Sequence, residues 1–303
     1  MKGGNKIMMK RINKLAIALP VPEHGDINGA SIVQELLGGE FGEMSTLNNY
    51  MFQSFNFRGK KKFKPFYDLI ASITAEEFGH VELVANTINL MSYGNTHPGA
   101  PDTAPLQIGK DKRYSYHFTT TAQTAVPGDS MGNPWNGSYV HGSGALVEDL
   151  LHNYTLEIGA RLHKMRVYEM TTNPTARELC GYLLVRGGTH IIAYAKAIEV
   201  ATGVEIGKML PVPRPDNNAF DHAKKYIEQG LSNVLYTWGE KEYRDINQIW
   251  KGPNPETGEP LRVIDGTPEG APIPDLEDKP EMFVPGIDQD DYEKILKRLK
   301  AGL

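Results

Sequence analysis

A single cysteine, Cys180, stands in a chain of 303 residues, so an internal disulfide is excluded and a reducing compartment is expected. Its neighbours Leu179, Tyr182 and Leu183 mark it as buried filler rather than a nucleophile. Long apolar runs are missing as well: no stretch approaches the ~20 residues that a membrane-spanning helix needs. At the N-terminus, Lys10, Arg11 and Lys14 interrupt what would have to be the apolar centre of a signal peptide. Together these absences predict a soluble, cytoplasmic protein with no membrane partner. Excess positive charge is absent too, because 32 Lys and Arg face 37 Asp and Glu for a net −5. A nucleic-acid partner is therefore not expected, and the one basic run, Arg58 to Lys62, reads as a solvated turn.

What the chain has in quantity is helical periodicity. Apolar residues recur at alternating steps of three and four in four segments, about 29–56, 63–92, 144–171 and 174–202. Asn173-Pro174 gives the last of them a clear start. Short turns near Arg58–Lys62 and at Thr172-Asn173 make each pair of helices an antiparallel hairpin. About fifty residues rich in Pro, Gly, Thr and Ser, 93–142, separate the hairpins. The expectation is a mainly α protein: an N-terminal arm (1–28) and a ferritin-like four-helix bundle (29–203) closed by that long crossover. A Pro/Gly-rich tail (204–303), with short helices near 219–230 and 289–300, would wrap the bundle or a neighbouring subunit.

Polar residues interrupt the inward rows. Glu43 falls on the first helix, Glu77 and His80 on the second, Glu157 on the third and His190 on the fourth, each near mid-helix. Burying three carboxylates without compensation costs several kcal/mol each, and two divalent cations would supply that compensation. Glu77 and His80 form the Glu-x-x-His element of carboxylate-bridged dimetal sites in bundles. Glu76 is the rival for Glu77, and the phase of Ile70, Ile73 and Val84 turns it away. Glu40 rivals Glu43 and is equally in phase, so spacing leaves that choice open.

A symmetric site would carry a second Glu-x-x-His on the fourth helix, with glutamate at 187. The chain has Gly187-Gly188 there, although each glycine costs a helix interior ~1 kcal/mol relative to alanine. Removing the carboxylate would leave room for water or a small substrate at the cations, as a reactive metal site requires. Lys164, two turns after Glu157, is placed to balance the carboxylates or relay a proton, and Tyr50, two turns after Glu43, to orient that residue. Arg161 reads as a structural ion-pair residue.

The stretches ELLGGEFGEMSTLNNYMFQSFNFRGKK, ITAEEFGHVELVANTIN, WNGSYV, DLLHNYTLEIGARLHKMRVYEMT and GYLLVRGGTH closely resemble the manganese catalases, from about Met9 to the C-terminal region. That resemblance implies a ferritin-like fold and the disproportionation of hydrogen peroxide to water and oxygen at a carboxylate-bridged dimanganese centre cycling between II,II and III,III. It also implies Glu43, Glu77, His80, Glu157 and His190 as ligands of two manganese ions per subunit, and a homohexamer. The chain is similar to the subgroup with Gly-Gly before the last histidine and a lysine, here Lys164, in the third helix. Spacing alone does not choose manganese over iron or zinc, so a di-iron oxidase or ferroxidase is the first alternative. The second is a non-catalytic assembly or coat protein.

Overall fold

A computed structural model describes residues 14–92, 124–209, 216–239, 242–276 and 290–302. Residues 93–123 of the expected crossover lie outside the described residues.

The helices run α1 (Ile27–Gly38), α2 (Glu43–Asn56), α3 (Lys64–Ser92), α4 (Leu146–Met170) and α5 (Pro174–Thr202). They continue through α6 (Ile206–Met209), α7 (Asp221–Glu228) and α8 (Asp290–Lys300). Side chains set the ends of α5: Asn173 Oδ1 accepts the Thr175 N–H at 2.9 Å, Pro174 opens the first turn, and Gly203 closes the last at φ 77°. Helices α2 and α3 form one hairpin, α4 and α5 the other, in the ferritin-like arrangement the periodicity predicts.

The segment expected as one helix over 29–56 is two. Residues 39–42 interrupt it: Gly39 leaves the helix in an extended conformation at ψ 166°, and Gly38 lies so close to the backbone of Gly128 that a Cβ would stand 2.3 Å from the Gly128 carbonyl oxygen. That close approach is fixed by Gln34, whose Nε2 donates to the carbonyls of Val126 and Gly128 at 2.7 and 2.6 Å. Breaking the helix rotates Glu40 onto the exposed surface and makes Glu43 the buried first residue of α2. Of the two carboxylates that spacing left open, Glu43 is the buried one.

Two apolar clusters fill the bundle. One gathers Val33, Leu36, Leu83, Ile88, Leu179 and Leu183. The other gathers Leu69, Ile70, Ile73, Ile192, Ala193 and Ile198. On both α3 and α5 the clusters occupy opposite ends, and the polar residues 76–80 and 186–190 form the layer between them.

Residues after α5 contribute to both clusters: Phe220, Ala223 and Tyr226 join the first, and Leu235, Ile246, Trp250 and Leu261 the second. Strand β1 (Lys14–Leu15) pairs antiparallel with β4 (Ala271–Pro272), Leu15 opposite Ala271. Strand β2 (Val234–Tyr236) pairs parallel with β3 (Arg262–Ile264). Trp250 is 1% exposed and donates its indole N–H to the Arg262 carbonyl at 3.0 Å, locking this segment against the bundle.

Candidate metal centre

Each of the five residues singled out by phase is buried in the layer between the clusters. The structure brings them into two overlapping groups, Glu43–Glu77–His80 and Glu77–Glu157–His190, each offering ligand atoms within 4.8 Å of one another. Glu77 belongs to both. Its Oε1 lies 2.8 Å from His190 Nδ1 and its Oε2 lies 3.2 Å from His80 Nδ1. Glu43 Oε2 stands 3.6 Å from His80 Nδ1, and Glu157 Oε1 stands 3.2 Å from His190 Nδ1. The imidazoles stack at 5.7 Å, 26° between planes, with Nδ1 of each turned toward the carboxylates.

The arrangement fits a pair of divalent cations. Three carboxylates and two imidazoles are the oxygen and nitrogen donors that manganese, iron or zinc accept. Glu157 Oε2 is buried with no hydrogen-bond partner, a state that a bound cation would relieve. Lys164 Nζ reaches Glu43 Oε1 at 2.8 Å. Three carboxylates meet this one ammonium, so the remaining positive charge must come from protonated imidazoles or from bound cations.

Electrostatics without cations show the same demand. Burial pushes the Glu43 carboxyl up, and the Lys164 ammonium does not fully offset it. For Glu77 burial acts in the same direction, but His80 and His190 hold it well below the usual carboxylate range. Burial would lower both imidazoles; the carboxylates around them prevail and hold both well above the usual histidine value. Lys164, which burial would discharge, is kept a charged ammonium by Glu43, Glu157 and Glu77.

Three expectations need correction. Tyr50 does not orient Glu43; its hydroxyl donates to Glu157 Oε1 across the bundle at 2.8 Å. Two helical turns span about 10 Å, too far for a tyrosine to reach back to Glu43 along its own helix. Glu76 does not turn away into solvent. It is 2% exposed and paired with Arg186 through both oxygens, Nε to Oε1 at 2.5 Å and Nη2 to Oε2 at 3.0 Å. Residues after α5 cover that face of the bundle, so α3 is buried on more than one side.

The third concerns the glycines, of which Gly187 alone faces the site. A Cβ there would lie 3.8 Å from Lys164 Nζ and 3.9 Å from Glu157 Oε2, in ordinary contact. Gly188 instead faces Asn217, where an added Cβ would lie 3.5 Å from the amide nitrogen. Asn217 also accepts from Arg161 at 2.8 Å. Reasoning from phase passed over Thr46, whose hydroxyl bonds Glu77 Oε2 at 2.9 Å. It lies three residues after Glu43 on the same face, a signal that was there to read.

A helical bundle with a buried layer of carboxylates and imidazoles that could hold metal is of the ferritin-like class. The sequence model of the manganese containing catalases matches residues 8–302, and the chain belongs to that family. It is 29% identical to a manganese catalase of Bacillus subtilis over 262 residues, 86% of this chain and 91% of that one. It is 32% identical over 207 residues to the uncharacterized protein YjqC of the same species, covering 64% of this chain and 70% of that one. The crystal structure of KatB, a manganese catalase from Anabaena, shares the fold with a TM-score of 0.55 at 20% identity, over 86% of this chain and all of that one.

Proposed function

We infer that the chain is a non-haem manganese catalase that disproportionates hydrogen peroxide to water and oxygen. Two manganese ions per subunit would be held by Glu43 with His80 and by Glu157 with His190, Glu77 bridging them. The observation that carries this reading is the sharing of Glu77 between two buried donor groups. Bound there, a manganese pair cycling between II,II and III,III would supply the two-electron exchange with peroxide.

The protein's own contribution is placement and charge. Tyr50 occupies one face of Glu157 Oε1, which leaves Oε2 to bind. Thr46 fixes Glu77. The space beside Gly187, bounded by Lys164 and Glu157, would admit a methyl-sized group without clash, and in this reading peroxide approaches there. An ammonium at that position attracts a hydroperoxide anion and can hand a proton to a departing oxygen. Burial of the whole layer keeps reactive oxygen species from bulk solvent.

Assembly as a homohexamer is part of the proposal, supported by exposed apolar side chains such as Phe55, Met170 and Val200 that a neighbouring subunit would cover. The buried thiol of Cys180 is compatible with a cytoplasmic location. The deciding experiment measures metal content of protein purified without added metal, together with gas evolution from peroxide. Manganese with oxygen release supports the reading. Iron without oxygen release supports an oxidase or ferroxidase, and full occupancy without peroxide consumption supports an assembly protein. His190→Ala is expected to lose metal and activity together, whereas Lys164→Ala keeps the metals and slows turnover.

A further inference from the structure

We propose that Glu76 is a positioning residue for both histidines of the metal centre, and that Arg186 clamps it for that task. The proposal rests on the metal assignment above. Glu76 precedes His80 by one helical turn on α3, and Arg186 precedes His190 by one turn on α5, so the two helices bring this pair directly behind the two imidazoles. Glu76 Oε1 lies 3.6 Å from His80 Nε2, and Oε2 lies 3.4 Å from His190 Nε2. Neither Nε2 is exposed, and neither makes a hydrogen bond to any other group. One carboxylate thus faces two rings, one oxygen to each.

The chemistry requires such an acceptor. A neutral imidazole carries one N–H, and Nδ1 of each ring is the nitrogen turned toward Glu77. An Nδ1 lone pair given to a cation leaves the proton on Nε2, where a buried donor needs a partner. Glu76 accepts both protons over short shifts and so fixes both rings in one tautomer and one orientation. Because a single group serves both rings, the two metals receive matched ligands.

Arg186 keeps the carboxylate in plane. Its Nε and Nη2 hold the two oxygens as a fork, and its Nη1 donates to the carbonyls of Leu231 and Val234 at 2.5 and 2.9 Å. The guanidinium is fully buried and anchored on both sides. Neutralised by Arg186, Glu76 adds no net charge to the centre, which distinguishes it from a ligand.

Glu76→Gln tests the idea. An amide has one acceptor oxygen, so one imidazole loses its partner. Manganese retention, read by competition with a chelator, is expected to fall about 10- to 100-fold, and the electron paramagnetic resonance spectrum of the Mn(II)-loaded protein to change. Glu76→Asp, which keeps both oxygens, should recover part of the loss. A purely structural role predicts instead a lower melting temperature of the metal-free protein with unchanged manganese affinity and spectrum in the folded fraction; that result overturns the proposal. Should the Gln variant not fold, the metal-loaded wild-type crystal structure decides. Nδ1 ligation with both Nε2 atoms within 3.2 Å, the ordinary N–H···O limit, of Glu76 supports it, and Nε2 ligation or another acceptor overturns it. Wild-type protein that binds no manganese removes the metal assignment itself. Wild type that binds two ions beside a Gln variant of equal affinity removes only the role of Glu76.

Discussion

At Gly187 the needs of the helix and of the site oppose each other. The backbone there is helical and a methyl group fits without clash. Gly187→Ala is therefore expected to stabilise the protein by up to ~1 kcal/mol through helix propensity. The same methyl enters the space bounded by Lys164 and Glu157, so oxygen evolution per bound manganese should drop. Denaturant midpoints and gas evolution on one sample check both halves, and unchanged turnover would show that peroxide uses another approach. The histidines carry a second expectation. Carboxylates hold His80 and His190 well above the usual histidine range, which biases both imidazoles toward their protonated forms before cations arrive. Cations must displace those protons, so manganese affinity falls as pH falls, and loading at constant pH releases acid. Titration calorimetry in buffers of different ionisation enthalpy reads the release, and buffer-independent heats would contradict it.

Helix α5 shows how an element is held at its ends and used at its middle. Asn173→Ala removes the side chain that accepts the Thr175 N–H and should cost ~1 kcal/mol, seen as a lower denaturation midpoint. Catalysis in the folded protein should be unaffected, since the cap lies far along the helix from His190. Those ends were readable because Asn-Pro and Gly have local physical meanings, and the extents of α3 and α4 followed from unbroken periodicity. The division between α1 and α2 was not readable from phase. A row of steps of three and four runs through Glu40 by coincidence, while the end of α1 turns extended at Gly39 and packs against Gly128, nearly ninety residues away. Periodicity placed Glu77, His80, Glu157 and His190 on the inward face, where the structure buries them together, because each replaces an apolar residue there. It misplaced Glu76 for one reason: it assumes a single buried face, and α3 has the bundle on one side and the segment around Val234 to Trp250 on another. The direction of Tyr50 failed similarly, because sequence distance describes neighbours on one helix and not partners across the core.

For the molecule as a whole, the residues after α5 belong to the same cores as the bundle. Trp250→Ala deletes a buried indole and its bond to Arg262, at an expected cost of about 3–5 kcal/mol. If this segment and the bundle unfold together, thermal unfolding followed by helix signal should shift down as one transition. A separate early transition with the helix signal intact would make the segment an independent unit. The pairing of Lys14–Leu15 with Ala271–Pro272, and the grip of the Leu231 and Val234 carbonyls on Arg186, join distant parts of the chain. Synthesis proceeds from one end, so a growing polypeptide can assemble its helical hairpins early yet must wait for Leu231 and Val234 before the scaffold behind the two imidazoles is complete. The buried polar layer is on this account finished late in synthesis, since both helical hairpins are made before the two carbonyls that anchor Arg186.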